Sequence, residues 1–280
     1  MNDQNKGYGE LGQSTLYDSE YNPTRLFPIA RAPKWEELGL DPKALPFVGF
    51  DTWNHYEVSW LNPNGKPCVA TASITYDCCS PNLIESKSLK LYFNSLNQSV
   101  FASVAALEAR ITEDLAACLQ SQVVVKILPS QGWRVLEVQP RFDGTCVDDL
   151  DVACSVYEVE PSLLQAEDEV VDGVLCSDLL RSNCPVTNQP DWGSVQVSYR
   201  GPRISPESFL KYIVSFRNHQ GFHEQCIEQI FVDIMTQCKP EHLTVYGRYT
   251  RRGGLDINPY RTSGRLVENA LDLNINLIRQ

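Results

Sequence analysis

Two polar-apolar rhythms alternate along this chain, and each predicts its own element. From His55 to Leu61 and from Cys68 to Tyr76 the period is that of a half-buried strand, with Ala70, Ala72, Ile74 and Tyr76 on one face and Thr71, Ser73 and Thr75 on the other. Asn64-Gly65 between the two runs predicts a tight hairpin turn. Farther on, Val104, Leu107, Ile111, Leu115 and Leu119 recur at helical spacing, and two strand runs follow, Val123 to Leu128 and Arg134 to Gln139. This half therefore reads β-β, helix, β-β.

The second half repeats that order. Val170 to Leu180 and Ser194 to Tyr199 read as strands, and Ser205-Pro206-Glu207 is a helix start, a cap followed by proline at the first helical position. Phe209, Tyr212, Ile213 and Phe216 give that helix its apolar face; a second helix, His223 to Cys238, carries the stripe Ile227, Ile230, Phe231 and Ile234. Strands resume at Leu243 to Tyr249 and Leu255 to Ile257. The pattern predicts an α+β fold, a sheet with two helices on one face, and its approximate doubling predicts two related units. The expected divisions are a polar arm at 1–45 that packs on a partner subunit, a first unit at 46–145, an acidic connection at 146–168 and a second unit at 169–280.

Composition narrows the class. The 280 residues are 42% hydrophobic and 21% charged, ordinary for a soluble globular protein, and a net charge of -11 argues against a broad grip on nucleic acid. A small-molecule partner is expected instead. No apolar run is long enough to span a bilayer, and Met1 to Lys6 lacks the apolar core of a signal peptide, so the expected location is the cytoplasm. The ten cysteines contain no C-x-x-C pair, and His55, His219, His223 and His242 complete no zinc pattern, so no metal is expected. Gly7-Tyr8-Gly9-Glu10-Leu11-Gly12 matches G-x-G-x-x-G, but polar residues precede it where a dinucleotide fold requires a buried strand.

Two stretches hold candidate chemistry. Ser182-Asn183-Cys184-Pro185-Val186-Thr187-Asn188-Gln189-Pro190-Asp191-Trp192-Gly193 is too rich in proline and asparagine for a helix or ladder strand and predicts an ordered loop. A thiol and a carboxylate on one loop can act as nucleophile and proton carrier; the alternative is an inert buried cysteine and a turn aspartate. Glu85-Ser86-Lys87-Ser88-Leu89-Lys90-Leu91-Tyr92 offers ammoniums and hydroxyls to an anionic group, or else is a solvated amphipathic edge.

The second of these stretches resembles the signature of the NADPH-dependent 7-cyano-7-deazaguanine reductases, the nitrile reductases of queuosine biosynthesis, E-S-K-S-hydrophobic-K-L-Y. Three more patches agree with the long, two-unit form of that family: Ser182 to Gly193, Phe216 to Cys226, and Tyr249-Thr250-Arg251-Arg252-Gly253-Gly254-Leu255-Asp256-Ile257-Asn258-Pro259. The resemblance implies tandem tunnelling-fold units, a homodimer, and NADPH consumed twice per turnover. It implies Cys184 as nucleophile, Asp191 as proton donor, and His223 as a substrate-holding or protonating group. It further implies Ile84, Glu85, Ser86, His223 and Glu224 as substrate contacts, and Ser86, Lys87, Arg252 and Gly253 as cofactor contacts, in a site between the units. Without it, Glu224 would be an acid favoured by a helix N-terminus. The alternatives are a cyclohydrolase-type zinc hydrolase on the same fold and a non-catalytic purine-binding module.

Overall fold

The computed structural model describes residues 17–134, 137–265 and 273–280; the Gly7 to Gly12 motif lies outside them. In chain order the elements are β1 (Pro28–Ala30), α1 (Ala32–Glu37), β2 (Val48–Leu61), β3 (Pro67–Asp77), β4 (Asn82–Ile84), α2 (Ser86–Ser95), α3 (Val104–Leu119), β5 (Val123–Pro129), β6 (Val138–Gln139) and β7 (Thr145–Cys146). There follow β8 (Ala166–Asn183), β9 (Pro190–Ile204), α4 (Pro206–Ser215), α5 (His223–Cys238), β10 (His242–Tyr249), β11 (Leu255–Thr262) and β12 (Asn276–Leu277). Of the expected strand Arg134 to Gln139, β6 covers the last two residues, and 135 and 136 lie outside the described ones.

The chain forms two compact units. The first takes Thr52–Leu136 and Arg251–Asp256 with the N-terminal stretch to Pro33; the second takes Lys34–Asp51, Glu137–Thr250 and Ile257–Gln280. In the first, strands run in the order β5-β3-β2, with β3 and β5 antiparallel from Ala70↔Pro129 to Tyr76↔Val123. The alternation read in the sequence is the burial alternation: Ala70, Ala72, Ile74 and Tyr76 are buried with Val123, Val125 and Ile127, under the α3 stripe Leu107, Ile111, Leu115 and Leu119. Burying this apolar stripe, more than helix propensity, holds α3 in place.

In the second unit the order is β11-β10-β9-β8-β7. Helix α5 buries Ile227, Ile230, Phe231 and Ile234 completely and packs on β9 and β10. A charge group is sealed beneath it: Arg261 donates to Asp51 at 2.8 Å and to Glu228 at 2.7 Å, and the Trp35 indole donates to Glu228 at 2.9 Å. One guanidinium serving two carboxylates, all buried, fixes the register of α5, because leaving any partner alone there strands a buried charge. Trp35 follows β1 and a 3-10 turn at Pro23–Arg25, so the stretch ahead of residue 46 carries ordered structure.

The units repeat more than an element order. SKSLKLYFNS of α2 and PESFLKYIVS of α4 share serine, tyrosine and serine at their third, seventh and tenth positions. Ser88 and Ser208 each donate to the carbonyl three residues back, at 2.7 and 2.8 Å, and accept a distant amide, that of Phe27 at 3.0 Å and of Gln165 at 3.1 Å. Tyr92 donates to Asp114 of α3 and Tyr212 to Asp233 of α5, both at 2.6 Å. Helices α3 and α5 both span 16 residues and end in a left-handed residue, Gln120 or Lys239.

Two expectations change. The Glu85 to Tyr92 stretch is not an exposed edge: α2 buries Ser88, Leu89, Leu91, Tyr92, Phe93 and Ser95. The irregular loop of Ser182 to Gly193 is shorter than expected, because β8 runs to Asn183 and β9 starts at Pro190, leaving a turn of Cys184 to Gln189. Proline is tolerated as the first residue of a strand, where its missing N–H interrupts no ladder bond.

Candidate active site

The β8–β9 turn is closed by its own backbone. The Cys184 amide donates to the Gln189 carbonyl at 2.9 Å, the Asn188 amide donates to the Cys184 carbonyl at 2.9 Å, and Asn188 takes φ 55°, a conformation asparagine tolerates. Cys184 is thus held as the first residue off the ladder, and its side chain is buried. Asp191 is the second residue of β9, paired with Ser182 and also buried.

Asn183, between Ser182 and Cys184, fastens this turn to the start of α5. Its N–H donates to the His219 carbonyl at 2.8 Å, its C=O accepts from the Gly221 amide at 3.2 Å, and its side chain donates to the Arg217 carbonyl at 3.4 Å. Gln220 adds a bond to Asn188 at 3.2 Å. The loop before α5 therefore lies along the end of β8, which brings His223 to Asp191: imidazole Nε2 stands 3.7 Å from Oδ1, an ion pair whenever the ring is protonated. Against the other side of that ring, Tyr249 packs edge-on with centroids 4.1 Å apart.

Helix α5 opens behind Phe222, which has no side-chain oxygen to offer as a cap; Gln225 bonds back to the Phe222 amide at 3.2 Å. His223 and Glu224 occupy its first turn, and Glu224 is only 1% exposed. A carboxylate buried at a helix N-terminus gains from the partial positive charge of the amides there. This group, in the second unit, gathers Cys184, Asp191, His223 and Glu224.

The first unit gathers the others. Glu85 caps α2, its two carboxylate oxygens accepting from the Lys87 and Ser88 amides at 2.8 and 2.7 Å. Burial pushes its carboxyl above the usual range, opposed by those amides and by the charges of Lys87 and Arg252. Two lone pairs remain for a ligand, since a carboxylate has about four acceptor sites. Ile84 is held by β1 through the Pro28↔Ile84 pair, and Ser86 opens α2. Gly253 and Gly254 take φ +63° and +79°, and a Cβ on Gly253 would come 3.4 Å from the Lys90 ammonium. His55 and Tyr56 hold this glycine turn through the Gly254 carbonyl at 3.0 and 2.9 Å. Arg251 lies 3.4 Å over the Tyr56 ring. Burial holds the His55 imidazole down to about 4, so it is neutral.

Tyr249 and Asn183 were given no role from sequence. The signal for Tyr249 was present in Gly193, whose missing side chain makes room for its ring: a Cβ there would lie 3.1 Å from it. Among the described residues one trio could gather about a metal, Asp77, Cys78 and Cys79, whose ligand atoms lie within 4.8 Å of one another because the residues are adjacent. No helix of the described residues is long and apolar enough to cross a membrane.

Comparison with known proteins gives this arrangement a family. A family model described as nitrile reductase, 7-cyano-7-deazaguanine-reductase N-term, matches residues 17–127, and one described as QueF-like protein matches 190–268. A protein of Legionella pneumophila (strain Lens) named NADPH-dependent 7-cyano-7-deazaguanine reductase is 59% identical over 97% of this chain and 94% of its own length. One of the same name from Azoarcus sp. (strain BH72) is 52% identical over 95% of this chain and 96% of its own. A solved chain titled as the archaeosine synthase QueF-Like in the apo form aligns at a TM-score of 0.31 and 19% identity, covering 37% of this chain and 100% of that one, too remote to carry weight. With more than half of all positions identical across nearly the full length of both proteins, the chain belongs to the NADPH-dependent 7-cyano-7-deazaguanine reductases.

Proposed function

We propose that this chain reduces the nitrile of 7-cyano-7-deazaguanine to the aminomethyl group, a step of queuosine biosynthesis, and that Cys184 carries the substrate through the first reduction. The supporting observation is the meeting of hairpin and helix start, which sets the Asp191 carboxyl 3.7 Å from the His223 imidazole beside the Cys184 turn.

The Cys184 thiolate adds to the nitrile carbon, the displaced C≡N pair moves to nitrogen, and Asp191 gives that nitrogen its proton. The product is a thioimide, whose C=N carbon accepts hydride more readily than a nitrile does. NADPH supplies a hydride at each of two reductions. The first, with one proton, leaves a thiohemiaminal; its C–S bond then breaks, returning the electron pair to Cys184 as the nitrogen lone pair closes an imine. The second, with another proton, yields the amine. His223, within reach of Asp191, is placed to return a proton to that carboxylate between steps. The burial of Asp191 and Glu224 suits chemistry in which water would hydrolyse the imine.

Glu224 accepts a bidentate pair from the guanine-like edge of the substrate, with Ile84, Glu85, Ser86 and His223 as its further contacts. Ser86, Lys87, Arg252 and Gly253 contact NADPH. Their surroundings fit an anionic dinucleotide: Lys87, Lys90, Arg251 and Arg252 supply positive charge, and the positive-φ glycines let phosphate approach the backbone. On this reading the two repeats are tunnelling-fold units, and the protein works in the cytoplasm as a homodimer on a free small molecule. Incubating the protein with the nitrile and without NADPH gives an intact-mass adduct that Cys184→Ala does not form. A wild-type protein that forms no adduct and oxidises no NADPH overturns the reading.

A further inference from the structure

Tyr249 ends β10 opposite Gly193, two residues after Gly247. Both neighbours on its face are glycines; its ring fills the space beside Gly193, while Ile227 of α5 fills the space beside Gly247. Packed there, it is fully buried beneath α5, and its hydroxyl has only the Cys226 thiol, a weak partner, beside it. The Ser182 hydroxyl stands beside the same thiol. A buried hydroxyl with only a thiol to bond is costly, and phenylalanine would fill the same space without that cost. Nothing in the packing of the ring calls for the oxygen.

We propose that Tyr249 is a positioning residue of this site: its ring fixes the His223 imidazole in reach of Asp191, and its hydroxyl is a donor that steadies the Asp191 carboxylate once that group has given up its proton. The inference rests on the function proposed above. The imidazole has Tyr249 against it at 4.1 Å and the Asp191 carboxylate at 3.7 Å. The charged and titratable groups facing the phenol are Asp191 from β9 and His223, Glu224 and Cys226 from α5. Burial, with Cys226, Asp191 and Glu224 around it, raises the phenol well above its ordinary value of 10, so it keeps the proton it would donate.

The test uses Tyr249→Phe, which removes only the oxygen, Tyr249→Leu, which removes the ring, and Gly193→Ala, whose Cβ would press on the ring at 3.1 Å. With nitrile and NADPH, Tyr249→Phe lowers kcat about tenfold with KM within about twofold. It also moves the alkaline limb of the pH profile to higher pH, because Asp191 must be protonated to act as the acid and its carboxylate has lost a donor. Its urea midpoint stays level or rises, whereas a merely structural tyrosine would lower stability and leave the kinetics alone. Gly193→Ala gives the same kinetic change. In the unliganded protein, the imidazole proton signals of His223 lose the ring-current shift from Tyr249 in Tyr249→Leu. The positioning role falls if kcat and the alkaline limb of Tyr249→Phe match wild type, or if the His223 signals are unmoved in Tyr249→Leu. A wild type that forms no adduct, while the His223 signals do move, would overturn the proposed function and leave the packing role of the ring standing.

Discussion

The two sixteen-residue helices α3 and α5 occupy the same place in their respective units and begin in opposite ways. Helix α3 starts behind Ser103, whose hydroxyl accepts from the Ala106 amide at 3.1 Å, and its first turn, Val104 and Ala105, is partly or fully open to solvent. Helix α5 starts behind Phe222, and its first turn, His223 and Glu224, is buried. The frame behind them is common, down to the tyrosine that each receives on an aspartate from the preceding helix. At the start of the preceding helix the contrast reverses: α2 is capped by the buried Glu85 and α4 by Ser205. A shared scaffold thus presents ionisable groups at different ends in its two copies, and burial distinguishes an end that can do chemistry from one that is only capped.

Three perturbations test how far the copies are equivalent. The largest effect is expected from pH. Burial holds His55 in the first unit and His219 in the second down to about 4, against 6.5 for a free imidazole. The folded pKa lies below the unfolded one, so the stabilisation is fully present above 6.5 and is lost as pH falls toward 4. Each histidine then costs its unit on the order of 3 kcal/mol. Urea unfolding at pH 7 and pH 4.5 should show that His55→Gln and His219→Gln each flatten this decline. Next come the two tyrosines. The Asp114 oxygen that accepts from Tyr92 also accepts from Tyr21 at 2.7 Å, whereas the other donor found for Asp233, Gln229 at 2.8 Å, bonds the oxygen that Tyr212 does not. Urea midpoints should therefore put Tyr212→Phe at about 2 kcal/mol and Tyr92→Phe at about 1 kcal/mol. Equal losses would mean that the latches do not differ as their partners suggest. Smallest is Ala105→Glu, which places in α3 the acid that α5 carries as Glu224. At an exposed helix start it should add about 0.5 kcal/mol of stability and leave turnover unchanged, since nothing there is buried for it to serve.

How much of this was legible depended on burial. Helix α5 was read with its observed bounds, because only one of its faces is fully apolar. Strand β2 begins at Val48, seven residues before its alternation shows, because Gly49 to Asn54 are buried on both faces and no period of two survives. The same holds for β11, buried along all eight residues and read only as far as Ile257. The outer end of β8 failed for the opposite reason: Ala166 to Asp168 is exposed and acidic, so it read as the end of a connection. Helix α2 was hidden by its serines, which look like surface polarity but satisfy backbone groups inside the fold. The spacing that gives them away, serine, tyrosine and serine repeated in α4, was in the sequence unused. The motif residues could be listed from the chain, but the closeness of His223 to Asp191 depends on Asn183, which no motif of charge or thiol singles out.

The three bonds from Asn183 to the loop ahead of α5 bear on when order is acquired. Because they join the thiol-bearing turn to the helix start through rigid backbone, the cost of immobilising those two pieces is met while the chain folds. On the proposed function, a visiting molecule would meet its reacting groups already in place, with binding energy left for selecting among heterocycles.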